Sequence, residues 1–126
     1  MSRTVFGCLL LVVLLAGGIL ASVFLPRQNE AVAAGLETAA RQALAGDLPG
    51  AVAYGEEARR KWESSRHIQA VFTDHDPLDA VDEGFALLPL HEAAGDKTAY
   101  AAQCVSLARQ VKALGDTNGL QWWNIF

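Results

Sequence analysis

From Thr4 to Leu25 the chain runs for twenty-two residues (TVFGCLLLVVLLAGGILASVFL) without a charged side chain. A helix on a soluble domain keeps one face for water and would interrupt such a run with polar residues. At 1.5 Å of rise per residue this one is about 33 Å long, enough to cross a hydrocarbon core of about 30 Å. The segment reads as a membrane span, which makes residues 1–27 an N-terminal transmembrane anchor and 28–126 a domain beside the membrane.

A cleavable secretory signal is the competing reading. Such a signal has an apolar core of about 7 to 15 residues followed by a small-residue cleavage site. Ala31-Val32-Ala33 before Ala34 would serve as that site, and cleavage there would free a secreted helical domain. The apolar run exceeds the usual core, however, and Arg27, Gln28, Asn29 and Glu30 intervene, which favours a retained anchor. Lipoprotein processing is excluded, because Cys8 precedes the apolar run where lipidation needs the run first. Arg3 and the free amine precede the span and Arg27 follows it. By the distribution of cations this predicts a cytoplasmic N-terminus and an extracytoplasmic C-terminal domain at the cell membrane. Gly17/Ala21 and Gly18/Ser22 have the spacing that lets membrane helices approach closely.

Charge narrows the function of the remainder. From Gln28 onward eight Lys/Arg stand against fourteen Asp/Glu, a net charge of −6, and the longest basic run is Arg59-Arg60-Lys61. An acidic domain without a basic stripe argues against nucleic acid as a partner. The two cysteines cannot staple it, since Cys8 lies in the span and Cys104 in a predicted helix.

One device punctuates the domain: Ala45-Gly46-Asp47, Ala94-Gly95-Asp96 and Leu114-Gly115-Asp116. Glycine accepts the left-handed conformation that closes a helix, and aspartate can cap the amides of the next. The first two divide the domain into hairpins, a helix from about Asn29 to Ala45 with one from Pro49 to Asp74, and one from Pro77 to Ala94 with one from Lys97 to Leu114. The third closes the last helix. The expected fold is therefore all-α, a transmembrane helix followed by a small antiparallel bundle of two helical hairpins. Spacing predicts a core stripe of Ala51, Tyr54, Ala58, Ser65, Ile68 and Phe72 on the second of these helices, with Trp62 and Val71 beside it. On the fourth the stripe is Tyr100, Cys104, Leu107, Val111 and Leu114. Pro89 removes an amide donor and clashes with the carbonyl of Phe85, predicting a kink or break near Leu88.

The densest chemistry is Asp74-His75-Asp76-Pro77-Leu78-Asp79-Ala80-Val81-Asp82-Glu83, five carboxylates and a histidine in ten residues. It fails as an EF-hand loop, because Asp79 stands where glycine is required and Phe85 where the bidentate glutamate belongs. Nor does His67, His75 or His91 have the paired spacing of a zinc site. A capping arrangement accounts for more of it, with Asp76 as cap, Pro77 at the first helical position and Asp79 as the reciprocal partner. Ser64 and Ser65 neighbour His67 without forming a nucleophile and base aimed at one substrate. No nucleophile elbow or phosphate-binding glycine loop occurs, so no catalytic residue and no cofactor are assigned and a non-enzymatic role is expected.

The C-terminus, Leu120-Gln121-Trp122-Trp123-Asn124-Ile125-Phe126, puts five large apolar side chains in seven residues. Leu120, Trp122, Trp123, Ile125 and Phe126 are expected to fold back into the groove between the hairpins, to dock on a partner, or to lie at the membrane interface where tryptophan is favoured.

The single N-terminal span, Arg60-Lys61-Trp62 within a long helix, Thr73-Asp74-His75-Asp76 leading to Leu78-Asp79-Ala80-Val81-Asp82, the Gly95-Asp96-Lys97 turn and the terminal Asn124-Ile125-Phe126 together carry a family likeness. The chain resembles the Domain of Unknown Function 4363 family, small bacterial membrane-anchored proteins. That resemblance implies a helical domain beside a membrane, implies no activity, and hints at an accessory role next to an integral membrane protein. The expected function is thus a membrane-anchored interaction module, in contact with lipid through its first helix. The alternative is a divalent-cation or small-ligand binding domain using His67, Asp74, His75 and Asp79.

Overall fold

The computed structural model describes the backbone of residues 2–72 and 74–125, and the side chains of those residues except at positions 21, 22, 72 and 115–125. Four helices follow one another: α1 (Ser2–Leu44), α2 (Leu48–Phe72), α3 (His75–Ala93) and α4 (Lys97–Ile125), with no strand among the described residues. The all-α expectation holds. α1 packs against α2 and α4, and α3 against α4 and α2, while α1 and α3 do not meet among the described residues.

The span and the helix expected to start near Asn29 form one 43-residue helix that passes through Pro26. A proline inside a helix removes one donor and crowds the carbonyl four residues back. Packing on both sides offsets that cost here, since Leu25 is 2% exposed and Asn29 is 1% exposed. The two halves of α1 differ in surroundings rather than in backbone. Up to Phe24 the large apolar side chains, Leu9, Val12 and Leu14 among them, are exposed. Beyond Asn29, Val32, Ala33, Leu36, Ala39, Ala40 and Ala43 are buried. α1 is long and apolar enough to cross a membrane.

Two of the three glycine-aspartate devices work as their chemistry suggests. Gly46 and Gly95 have φ of 94° and 67°, in the left-handed region. The amides of Gly46 and Asp47 donate to the carbonyls of Ala43 and Gln42, and those of Gly95 and Asp96 to Glu92 and His91. This pattern satisfies the orphan carbonyls at a helix end. Each aspartate then caps the next helix, Asp47 Oδ1 accepting from the Gly50 amide at 3.0 Å and Asp96 Oδ1 from the Ala99 amide at 3.0 Å. Asp47→Ala and Asp96→Ala are each expected to cost about 1 kcal/mol, read as a lowered midpoint in urea titrations followed by circular dichroism. Substitution by asparagine should recover most of it.

The third device does not end a helix. α4 continues through Gly115 and Asp116 to Ile125. Glycine permits the left-handed close without requiring it, and inside a helix it costs only about 1 kcal/mol relative to alanine. Of the kink or break expected near Leu88, the break is absent, as α3 runs through Pro89 to Ala93. Buried Phe85 and Leu88 anchor the turn ahead of the exposed proline. The cap of α3 is Asp74 rather than Asp76, and its side chain makes no capping hydrogen bond. Asp76 and Pro77 fall inside the first turn, where an aspartate still favours the positive end of the helix dipole.

The stripe on α4 is buried as expected: Tyr100, Cys104, Leu107, Val111 and Leu114 are all at most 4% exposed. That on α2 is buried in part. Ala51, Ala58, Trp62 and Ser65 face inward as expected and are joined there by Gly55 and Gln69, whereas Tyr54 and Ile68 are each 41% exposed and Val71 76%, and the Phe72 side chain lies outside the described residues. Two close approaches account for glycines on this inner surface. A Cβ on Gly55 would lie 2.3 Å from the Tyr100 hydroxyl, and one on Gly84 would lie 2.3 Å from Leu107 Cδ2. Their absence lets α4 settle against α2 and α3.

Candidate functional site

Two polar constellations stand out among the helices, and only part of one was expected. The first ties α2 to α3. Trp62 is 1% exposed, and its indole stacks on Phe85 with ring centroids 6.4 Å apart. A buried indole N–H needs an acceptor. Trp62 Nε1 donates to Asp82 Oδ1 at 2.7 Å, while Arg66 Nε donates to Asp82 Oδ2 at 3.0 Å and Arg66 Nη2 to Asp79 Oδ1 at 3.2 Å. Both oxygens of Asp82 are thereby engaged. The Arg66 side chain is 24% exposed, but its partners Asp79 and Asp82 are 65% and 43% exposed, so solvent screens these ion pairs and their net worth is small. The indole bond and the stacking carry more.

The second constellation joins α1 to α2 where the apolar half of α1 ends. Asn29, Ser65 and Gln69 are buried. Gln69 Nε2 donates to Asn29 Oδ1 at 3.0 Å and to Ser65 Oγ at 3.1 Å, and Asn29 Nδ2 donates back to Gln69 Oε1 at 3.4 Å. Ser65 Oγ donates to the Trp62 carbonyl at 3.2 Å. Beside them Gln28 Nε2 donates to the Lys61 carbonyl at 3.0 Å. The polar groups of this cluster bond to one another, which is the condition under which burial of amides is tolerated.

The four residues of the cation-binding alternative do not gather. His67, Asp74 and His75 are exposed, and Asp79 turns to Arg66. No group of three or more His, Cys, Asp or Glu side chains is arranged to hold a metal ion among the described residues. Asp79 and Asp82 already share the Arg66 guanidinium, whose charge opposes a cation there. The backbone of Leu120, Trp122, Trp123 and Ile125 lies in α4, but the side chains of these interaction candidates, and Phe126 altogether, lie outside the described residues.

Arg66, Trp62 and Asp82 escaped the sequence reading as a site because their pairing crosses the α2–α3 turn. The available signal was one arginine facing an acidic run across that turn. Asn29 and Gln69 carried less signal, since each looks like a solvated residue when only its own helix is considered.

Cys104 lies against the core beside Tyr100. Burial pushes the Cys104 thiol up to about 12. Burial also raises the Tyr100 hydroxyl, with smaller contributions from Cys104, Glu92 and Glu56. An unfolded chain releases the cysteine proton near its ordinary value of about 8.5, so above that pH the folded state binds more protons than the unfolded one. The Cys104 and Tyr100 contribution to stability should fall as pH rises from the ordinary thiol range toward 12. Thermal melts between pH 7 and 11 should record that decline, and Cys104→Ala should make it shallower.

The chain matches no family model, no curated protein and no solved structure.

Proposed function

We propose that this chain is a membrane-anchored helical protein that acts through protein contacts rather than catalysis. The carrying observation is the division of α1. One continuous helix exposes its large apolar side chains as far as Phe24 and buries the inner stripe from Val32 to Ala43. Water is a poor solvent for the first half, and a bilayer is the environment that suits an apolar helix of this length. Arg3 before the span and Arg27 after it favour a cytoplasmic N-terminus, with the helical domain outside.

In this reading the domain is an antiparallel bundle of two hairpins. Leu44 lies near Thr98 and Ala101 at the start of α4, and Glu37 pairs with Lys112 further along it. Residue numbers rise along one helix as they fall along the other. The two Gly-Asp turns and the Trp62–Asp82 clasp hold the hairpins in register. The reading agrees with the resemblance to the Domain of Unknown Function 4363 family and includes an integral membrane protein as the partner, contacted through Leu120, Trp122, Trp123, Ile125 and Phe126.

The test is alkaline carbonate extraction of membranes from cells expressing the full chain. Retention in the pellet, with release only by detergent, is expected for a spanning α1. Appearance of a soluble species that begins at Ala34 by intact mass would replace the anchor with a cleaved signal.

A further inference from the structure

We infer that the corner where α2 passes into α3 rests on the lipid headgroups of the bilayer that α1 spans. The inference builds on the proposed membrane anchoring and adds a second contact. Its basis is the register between α1 and α2. A Cβ on Gly35 would lie 3.5 Å from Ala58 Cβ, whereas nearer the span Gln28 bonds to the Lys61 carbonyl and Asn29 to Gln69. Moving along α1 toward the span therefore means moving along α2 toward its C-terminus. Asn29 stands four residues beyond Leu25, the last residue of the uncharged run, or about 6 Å along the axis. Counted from Gly35 opposite Ala58, Gln69 stands level with about Phe24, and its bond to Asn29 sets Asn29 as the outer limit, so Gln69 lies between those two heights and Val71 about 3 Å closer to the span.

The polar zone of a bilayer adds about 5 to 7 Å on each side of its hydrocarbon core. Val71 and Ile68 therefore straddle the boundary between that zone and the hydrocarbon core. They are also 76% and 41% exposed, the inverse of what the spacing on α2 predicts for a water-facing domain. Two apolar side chains that point away from the core at that height gain burial from the interface. The adjoining Asp74 and Asp76 are exposed, and their carboxylates keep the corner at headgroup depth instead of letting it sink. Since α1 is helical through Pro26, the domain is held at this height by a helix and not by a loose tether.

The experiment places an environment-sensitive NBD fluorophore on single cysteines of the full chain reconstituted in phosphatidylcholine vesicles. Exposed Cys8 is replaced (Cys8→Ser), and buried Cys104 remains unlabelled. Ile68→Cys and Val71→Cys report the corner, Val12→Cys reports the span, and Thr98→Cys reports a position near Leu44, at the far end of α1. Lipids carrying a nitroxide near the headgroup or deep in the acyl chain serve as quenchers. The expected result is loss of emission at Ile68 and Val71 to the shallow quencher, at Val12 to the deep one, and at Thr98 to neither. Quenching at Val12 with Ile68 and Val71 as unaffected as Thr98 would overturn the headgroup contact and leave the anchor standing. No quenching at Val12 would remove the anchor, and the headgroup contact with it.

Discussion

Trp62→Ala is expected to lower stability by about 3 to 5 kcal/mol, the usual range for emptying a buried aromatic site. The indole is 1% exposed, stacks on Phe85 and donates to Asp82 at 2.7 Å, so truncation opens a cavity and removes a charge-assisted bond together. A domain of this size holds about 5 to 15 kcal/mol in all, and the variant should sit near the threshold of unfolding at 37 °C. Trp62→Phe separates the two contributions. It keeps most of the ring volume, leaves Asp82 with Arg66 as a partner, and should cost only about 1 to 2 kcal/mol. Urea titrations of both variants in mild detergent, followed by circular dichroism, give the two values. Equal losses would mean that the hydrogen bond, and not packing, carries the contribution of this residue.

The second large effect is expected at the buried amide pair. Asn29→Ala strands Gln69 without its main partner, and Gln69→Ala strands Asn29, at a cost of about 1 to 3 kcal/mol each. The double replacement Asn29→Leu with Gln69→Leu removes both unsatisfied groups and should be nearly neutral or stabilising. Non-additivity between the single variants Asn29→Leu and Gln69→Leu and their combination is the signature of a pair acting as a unit. A pair of buried amides can also set which residues face each other across two helices, as a polar residue does in coiled coils. The leucine double variant should then show increased heterogeneity in α1–α2 distances while keeping its helicity.

Legibility in the sequence followed the range of the interactions involved. Gly46-Asp47 and Gly95-Asp96 were readable because closing one helix and capping the next needs only residues within five positions. The α4 stripe was readable because its core residues are apolar apart from the Tyr100 hydroxyl and the Cys104 thiol. α2 misled in part because its inner face carries Gly55 and Gln69, while Tyr54, Ile68 and Val71 lie outward. Apolar periodicity draws flanking residues of such a helix into the core face, and only the facing Asn29 makes the burial of Gln69 intelligible. The acidic segment was read as a set of caps because Asp79 and Asp82 find Arg66 from thirteen and sixteen residues away, across a turn. Gly115-Asp116 had the composition of a helix end without the turn that would use it.

The continuity of α1 joins its exposed apolar half to the packed domain, and a distance measurement tests it most directly. Nitroxide labels at Val13→Cys and Arg41→Cys in the Cys8→Ser background, both at exposed positions, report on the whole helix across Pro26. Double electron–electron resonance on the full chain in lipid nanodiscs should give a single narrow distribution near 42 Å, the rise of an unbroken helix over that interval at 1.5 Å per residue. A broad distribution centred well below that value would mean that the helix breaks at Pro26, and that the domain hangs from the proposed anchor instead of standing on it.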